Sequence, residues 1–235
     1  LESSKFIVPN SLEDFSNLLL KNPGATIVAG ATDVGLWITK DLLSINPLIF
    51  IGSIPELKKI SEQKGRIVLG ACVTYSQAEV IFSKYFPTSI NYFSRISGEQ
   101  IRNVGTIGGN IGNGSPIGDL APFFIALNAT IKLRKGKKCR EIKMEDFFID
   151  YKVQNIDQGE FIESILVPLK KDLFLFPYKV SKRRDEDISS VAAVFSFEVL
   201  ENRIFNVRAV YGGMAGIPKR AQNVEKILEK KTQLE

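Results

Sequence analysis

The chain has 235 residues and a mass of 26.2 kDa, with 44% hydrophobic and 24% charged residues, the balance of an ordinary water-soluble fold. It contains no histidine, which excludes Ser-His-Asp and Cys-His nucleophile systems and every His-ligated metal site. Its two cysteines, Cys72 and Cys139, stand far apart, so no zinc ribbon or iron–sulfur cluster is expected, metal ligands are assigned to none, and the chemistry falls to a bound cofactor.

The net charge of +5 comes from scattered lysines and arginines. Their densest cluster, Arg134-Lys135-Gly136-Lys137-Lys138, reads as a solvated hairpin tip, so no nucleic-acid partner is expected. No stretch reaches the ~18 apolar residues of a membrane span. The longest candidate, residues 120–127, is interrupted by Pro122. Few cysteines and no visible signal peptide point to the cytoplasm and away from a membrane. The chain begins at Leu1 rather than Met, as a processed subunit or a fragment would.

Residues 5–8 lead into Pro9-Asn10-Ser11. Ser11 then caps a helix whose stripe is Leu12, Phe15, Leu18 and Leu19, ending near Lys21 before Pro23-Gly24. A short strand over 26–29 runs into Gly30-Ala31-Thr32-Asp33, and a helix to about Lys40 and a strand over 48–51 complete a small βαβ unit. A strand over 66–69 follows, and Thr74 with Gln77 three residues on is a capping-box signature for a helix toward Phe82. A further helix is predicted over 90–99, and another starting at Pro116 with Ser115 as its cap. Residues 130–134 and 138–142 form a hairpin about Lys135-Gly136, and 159–167 reads as one more strand. Strands over 178–182, 191–199 and 205–211 suggest an antiparallel meander with a turn at Glu201-Asn202, and a helix is expected over 218–230. The class is α+β, divided as residues 1–60, 61–172 and 173–235.

Six glycines (Gly105, Gly108, Gly109, Gly112, Gly114 and Gly118) fall between residues 101 and 119. Glycine permits left-handed backbone and lets a ligand lie against the main chain. Stretches such as Thr106-Ile107-Gly108-Gly109-Asn110 and Val28-Ala29-Gly30-Ala31-Thr32-Asp33 can therefore offer backbone N–H groups to an anion such as a diphosphate. Thr32, Asn110, Asn113, Ser115 and Asp119 between them can hold sugar hydroxyls. The alternative is a pair of tight turns, with Asp119 an early-helix carboxylate. Neither stretch is a Walker A loop or a G-x-G-x-x-G fingerprint.

Three ordered segments resemble the FAD-binding part of molybdenum hydroxylases, the family of xanthine dehydrogenase and carbon monoxide dehydrogenase. They are residues 27–35 (Ile27, Val28, Ala29, Gly30, Ala31, Thr32, Asp33, Val34, Gly35), residues 101–110 (Ile101-Arg102-Asn103-Val104-Gly105-Thr106-Ile107-Gly108-Gly109-Asn110), and Ser115-Pro116-Ile117-Gly118-Asp119-Leu120. Tyr178-Lys179, Arg183-Arg184-Asp185-Glu186-Asp187-Ile188 and Gly212-Gly213-Met214-Ala215 are similar to xanthine dehydrogenases in particular.

The resemblance implies a two-part FAD-binding domain of the vanillyl-alcohol-oxidase type, subdomains 1–60 and 61–172. A CO-dehydrogenase-flavoprotein C-terminal-like α+β domain, 173–235, follows and is expected to be incomplete. It implies FAD as cofactor, electrons arriving from iron–sulfur centres of iron–sulfur and molybdopterin partner domains or subunits, and NAD or another acceptor taking them away. The implied cofactor contacts are Ile27–Gly35, Ile101, Gly105, Thr106–Asn110, Asn113 and Asp119, with Ile96 and Ile162 flanking the flavin or serving the core. Lys179 would lie near the ring's polar edge, where a cation raises the potential by stabilising reduced flavin, or else point to solvent from its strand. No catalytic residue is certain beyond this tuning role. Ala31 departs from the family's usual glycine and is tolerable if its φ is negative. Two alternatives stay open: a self-sufficient FAD-dependent reductase of the same binding fold, and an assembly subunit without flavin.

Overall fold

A computed structural model describes residues 5–231, and the extreme ends of the first and last predicted units, residues 1–4 and 232–235, lie outside it. The first unit is a parallel three-stranded sheet, β1 (Phe6–Ile7), β2 (Thr26–Val28) and β3 (Leu48–Phe50), in the order β1-β3-β2. Helix α1 (Leu12–Lys21) starts where Ser11 accepts the Asp14 amide and buries Phe15 and Leu19 against the sheet. Helix α2 (Val34–Thr39) follows the Gly30–Asp33 loop. This unit's core of Ile49, Ile51, Ile54 and Leu57 is closed by Cys72 and Phe161, which belong to later segments.

The second unit is an antiparallel sheet of β4 (Ile60–Gln63), β5 (Arg66–Gly70), β6 (Thr130–Lys135), β7 (Lys138–Lys143) and β10 (Phe161–Pro168), ordered β4-β5-β10-β6-β7. The hairpin about Lys135-Gly136 is there, with Gly136 at φ +58°. The small pair β8 (Phe148–Asp150) and β9 (Val153–Gln154) stands beside it. One face is covered by α3 (Tyr75–Tyr85), α4 (Ile90–Phe93), α5 (Glu99–Val104), α6 (Ile107–Asn113) and α7 (Leu120–Ala126). Thr74 and Gln77 form the full capping box of α3. Phe82, Phe93, Phe123 and Phe124 pack ring against ring, with centroids 5.0 to 5.8 Å apart, at the centre of this core.

The last unit is the meander β11 (Leu173–Val180), β12 (Val191–Leu200) and β13 (Arg203–Gly212), extended by β14 (Lys219–Arg220). Glu201 and Asn202 both have positive φ, the primed turn that matches strand twist. Leu175, Val194 and Val210 join the second unit's core, so the two units share one apolar interior. Helix α8 (Gln222–Lys231) lies against the sheet edge, where Glu225 and Glu229 accept the amides of Ala209 and Val207. No helix among the described residues is long and apolar enough to cross a membrane.

Three predicted helices differ. The one over 90–99 breaks after Phe93 and restarts at Glu99, because Ser97 takes φ +54° and the Arg102 guanidinium gathers the carbonyls of Ser94, Ile96 and Ser97. The one expected at Pro116 begins only at Leu120, with Pro122 in its first turn, where its missing N–H costs nothing. The one expected from Pro218 starts at Gln222, since Lys219 and Arg220 extend the sheet first. Conversely, α6 was not predicted: it runs through the glycine-rich segment.

Candidate functional site

Between the first and second units runs a cleft of two connected lobes. The apolar lobe, about 380 Å³, is walled by the Ala29–Val34 loop, Ile27, Trp37, Phe161 and the cleft face of α6. The polar lobe, about 530 Å³, is walled by Ile96, Ile101, Asp119, Lys179 and the segment before β12. Thr32, Asp33, Tyr75, Asn110 and Asn113 border both, forming the waist.

The first glycine loop docks on the end of α5 at a distance only glycine allows. A Cβ on Gly30 would stand 1.8 Å from the Val104 carbonyl oxygen. After it Ala31 turns left-handed, at φ +60°, contrary to the negative φ expected of an alanine there. Its carbonyl accepts the Gly35 amide at 2.8 Å, so the strained residue opens α2. Among the described residues, the amides of Gly30, Ala31, Thr32 and Asp33 meet no acceptor. Consecutive unpaired N–H groups around a left-handed residue form an anion-binding concavity.

The second glycine stretch is built differently. Thr106 caps α6 by accepting the Gly109 amide at 3.1 Å, the Asn110 amide bonds Thr106 O, and those of Ile107 and Gly108 bond Val73 and Ala71 carbonyls at 2.9 Å. Of the expected row of free N–H groups over Thr106–Asn110, the four from Ile107 to Asn110 are therefore taken up by the helix, its cap and the 71–75 segment. Gly108 is a packing glycine, whose Cβ would meet Ala71 at 2.6 Å. It borders the apolar lobe together with Gly109 and Gly112.

At the waist the Tyr75 phenol is buried, which, with the charges of Asp33 and Asp119, pushes it up to about 12 and keeps it a neutral donor. Beside it Asn110 Oδ1 is buried without a hydrogen-bond partner among the described residues. Such an orphaned acceptor costs roughly 1–3 kcal/mol unless a ligand donor meets it.

In the polar lobe, Lys179 Nζ bonds Asp119 Oδ2 at 2.8 Å, and both side chains are nearly buried. Lys179 thus does not point to solvent from β11. Ser189 Oγ donates to the other carboxylate oxygen, and Tyr92 donates to the Asp119 backbone carbonyl at 2.6 Å. Asp119 does not cap α7; its carboxylate is spent on Lys179 and Ser189.

Of the sequence-predicted residues, Ile27, Ala29, Gly30, Ala31, Thr32, Asp33, Val34, Thr106, Gly108, Gly109, Asn110, Asn113 and Ile162 border the apolar lobe. Ile96, Ile101, Asp119 and Lys179 border the polar one. Ile96 and Ile162 consequently stand in different lobes. Val28, Gly35, Gly105 and Ile107 do not line the cleft; Val28 and Ile107 are core. Tyr75, Trp37, Phe161 and Ser189 were missed. Tyr75 opens a helix, Trp37 lies inside one, Phe161 opens a strand and Ser189 sits in a loop, and only tertiary packing brings them here.

A family model described as the FAD binding domain in molybdopterin dehydrogenase matches residues 2–170, and one described as the CO dehydrogenase flavoprotein C-terminal domain matches residues 176–233. Xanthine dehydrogenase of Emericella nidulans is 29% identical over 95% of this chain, and xanthine dehydrogenase 2 of Arabidopsis thaliana is 31% identical over 94%. The chain spans 18% of the length of each. Reconstituted CO dehydrogenase from Oligotropha carboxidovorans superposes with a TM-score of 0.89 at 24% identity, over 99% of this chain and 82% of that one. Quinoline 2-oxidoreductase from Pseudomonas putida 86 gives 0.87 at 21%, over 96% and 79%. This fold is the mixed α and β architecture that the sequence suggested. The chain belongs to the family of FAD-binding domains of molybdopterin dehydrogenases, the flavin-binding part of a molybdenum hydroxylase.

Proposed function

We propose that this chain is the electron-transfer module of a xanthine dehydrogenase-like enzyme. It takes electrons from iron–sulfur centres on a partner domain or subunit, passes them to NAD or another acceptor, and does not hydroxylate substrate by itself. The two separated cysteines support the last clause, because no iron–sulfur cluster can be assembled from them. When bound, the flavin supplies a ring that accepts electrons singly or in pairs and so joins the two kinds of partner.

The residues present fit FAD. The unpaired Gly30–Asp33 amides suit a diphosphate, and they must, because Lys179 is the single cation among the residues walling the two lobes and Asp119 already occupies it. Asn110 Oδ1 would accept from a hydroxyl of the sugar or ribityl chain, and Tyr75 would donate at the same waist. Trp37, Phe161 and Ile162 exclude water from the apolar lobe. In the polar lobe Lys179 would face the polar edge of the flavin, with Ile96 against the ring.

The observation that carries this reading is the conjunction at one waist of free loop amides and an orphaned buried acceptor. Purified chain should bind FAD one to one, seen as flavin absorbance in the protein fraction. Gly109→Trp should abolish that binding while far-ultraviolet circular dichroism stays close to the parent, since a Cβ there presses on the Thr106 hydroxyl alone, at 2.8 Å, which must turn aside, and an indole would extend into the cleft. Full flavin occupancy in the variant would refute the placement.

A further inference from the structure

Asp119, Lys179 and Ser189 come from three places in the chain: the turn before α7, strand β11, and the segment entering β12. All three are nearly buried and all three wall the polar lobe. The carboxylate between them is shared, with Oδ2 receiving the Lys179 ammonium and Oδ1 receiving the Ser189 hydroxyl.

The serine is not needed to close the hairpin on which it sits. Residues 181–190 are already held by Arg95, whose guanidinium bonds Arg184 O at 3.0 Å and Ser181 Oγ at 2.9 Å, and by the Ser190 amide on Val180 O at 2.8 Å. A buried hydroxyl placed on a carboxylate oxygen instead governs how that carboxylate meets its other partner. With Oδ1 satisfied, the carboxylate engages Lys179 through Oδ2 alone. An ammonium has three donors, and Asp119 is its one hydrogen-bond partner among the described residues, which leaves donors to turn toward the lobe. Without the hydroxyl, Oδ1 is left buried and unpaired, a costly state. Its nearest relief is to turn onto the same ammonium and draw it back from the lobe.

We infer that Ser189 is a positioning residue for Lys179: it holds Asp119 so that the lysine's charge stays directed at negative charge in the polar lobe. The inference rests on the reading of the cleft as a flavin site. It makes Ser189, outside every motif in the sequence, a determinant of the flavin's reduction potential.

The test loads the full chain with FAD and titrates its potential in the parent, Ser189→Ala and Ser189→Thr, with flavin affinity measured alongside. Ser189→Ala should still bind FAD but lie lower in potential, the reduced-to-oxidised ratio at fixed ambient potential falling about tenfold, or about 30 mV for a two-electron couple. Ser189→Thr, which keeps the hydroxyl, should restore the parental value. An unchanged potential in Ser189→Ala, or a threonine variant displaced as far as the alanine one, would overturn the inference. Should Ser189→Ala fail to fold, Ser189→Cys keeps the size with a weaker donor and should give a smaller shift in the same direction; no shift would again overturn it. A parent chain that takes up no FAD would instead overturn the functional reading, and this inference with it.

Discussion

At Ala31 the backbone adopts φ +60°, where a Cβ crowds the following carbonyl. The residue is held there because Gly30 is pressed onto Val104 and the chain must turn at once into α2. A glycine would remove the crowding, roughly 1–2 kcal/mol, and give back part of it through the greater freedom of the unfolded chain. Ala31→Gly should therefore raise the unfolding free energy by about 0.5–1 kcal/mol in a urea titration, with FAD affinity held. Destabilisation would mean that Ala31 is not left-handed in solution. The strain itself was invisible in the sequence, where a methyl group only said that the position differs from glycine. The close approach of Gly30 to Val104, which lies far along the chain, is not encoded by any residue near Ala31.

Among elements, α6 is the least expected from its residues. Three of the seven residues Ile107–Asn113 are glycines, each costing about 1 kcal/mol in a helix interior. What holds it is the Thr106 cap and the docking of its first turn on the carbonyls of Ala71 and Val73, so tertiary contacts override propensity. The glycines then separate by what an added side chain would meet. Gly108→Ala drives a methyl into Ala71 and should cost about 1–3 kcal/mol of stability, as overpacking does. Gly112→Ala meets only Ile162 Cδ1 at 3.7 Å and should keep or slightly gain stability while weakening FAD binding by narrowing the lobe. Denaturation curves and flavin titrations on the pair check this; equal effects on both quantities in both variants would show that the two surroundings are misassigned. Elements whose signals are local were legible: the capping box at Thr74, the Lys135-Gly136 hairpin and the Glu201-Asn202 turn each depend on residues within a few positions. The cleft's walls were legible in part, because the Gly30–Asp33 loop borders it with its own unpaired backbone amides. Tyr75 and Ser189 reach the same cleft through sheet and helix packing, which no short motif encodes.

Across the whole molecule, ion pairs brace the second unit's sheet and tie the last unit to it. Glu163 of β10 binds Lys132 and Arg134 of β6, Arg140 of β7 grips Glu160, and Glu145 with Arg208, Arg220 and Glu225 fastens α8 and the last sheet to the second unit. The hydrogen bond from Arg140 holds the Glu160 carboxyl below its ordinary value. Burial pushes Glu145 and Glu163 up, but the guanidinium and ammonium groups around each outweigh it and leave both lowered as well. A carboxyl depressed in the folded state binds fewer protons than in the unfolded chain as acid is added, so folding free energy is lost as pH falls. The stabilisation from all three is thus complete above the unfolded glutamate value of 4.5 and disappears as pH drops through their lower folded values. Unfolding free energy measured in urea should be nearly level above about pH 5 and decline steeply toward about pH 3. Glu160→Gln, which removes one of the depressed groups, should start lower at neutral pH and decline less, so that the two curves converge in acid. Parallel curves would show that Glu160 is no better paired in the folded protein than in the unfolded chain, and the Arg140–Glu160 pair would then add nothing to holding the neighbouring Phe161 against the first unit and the cleft.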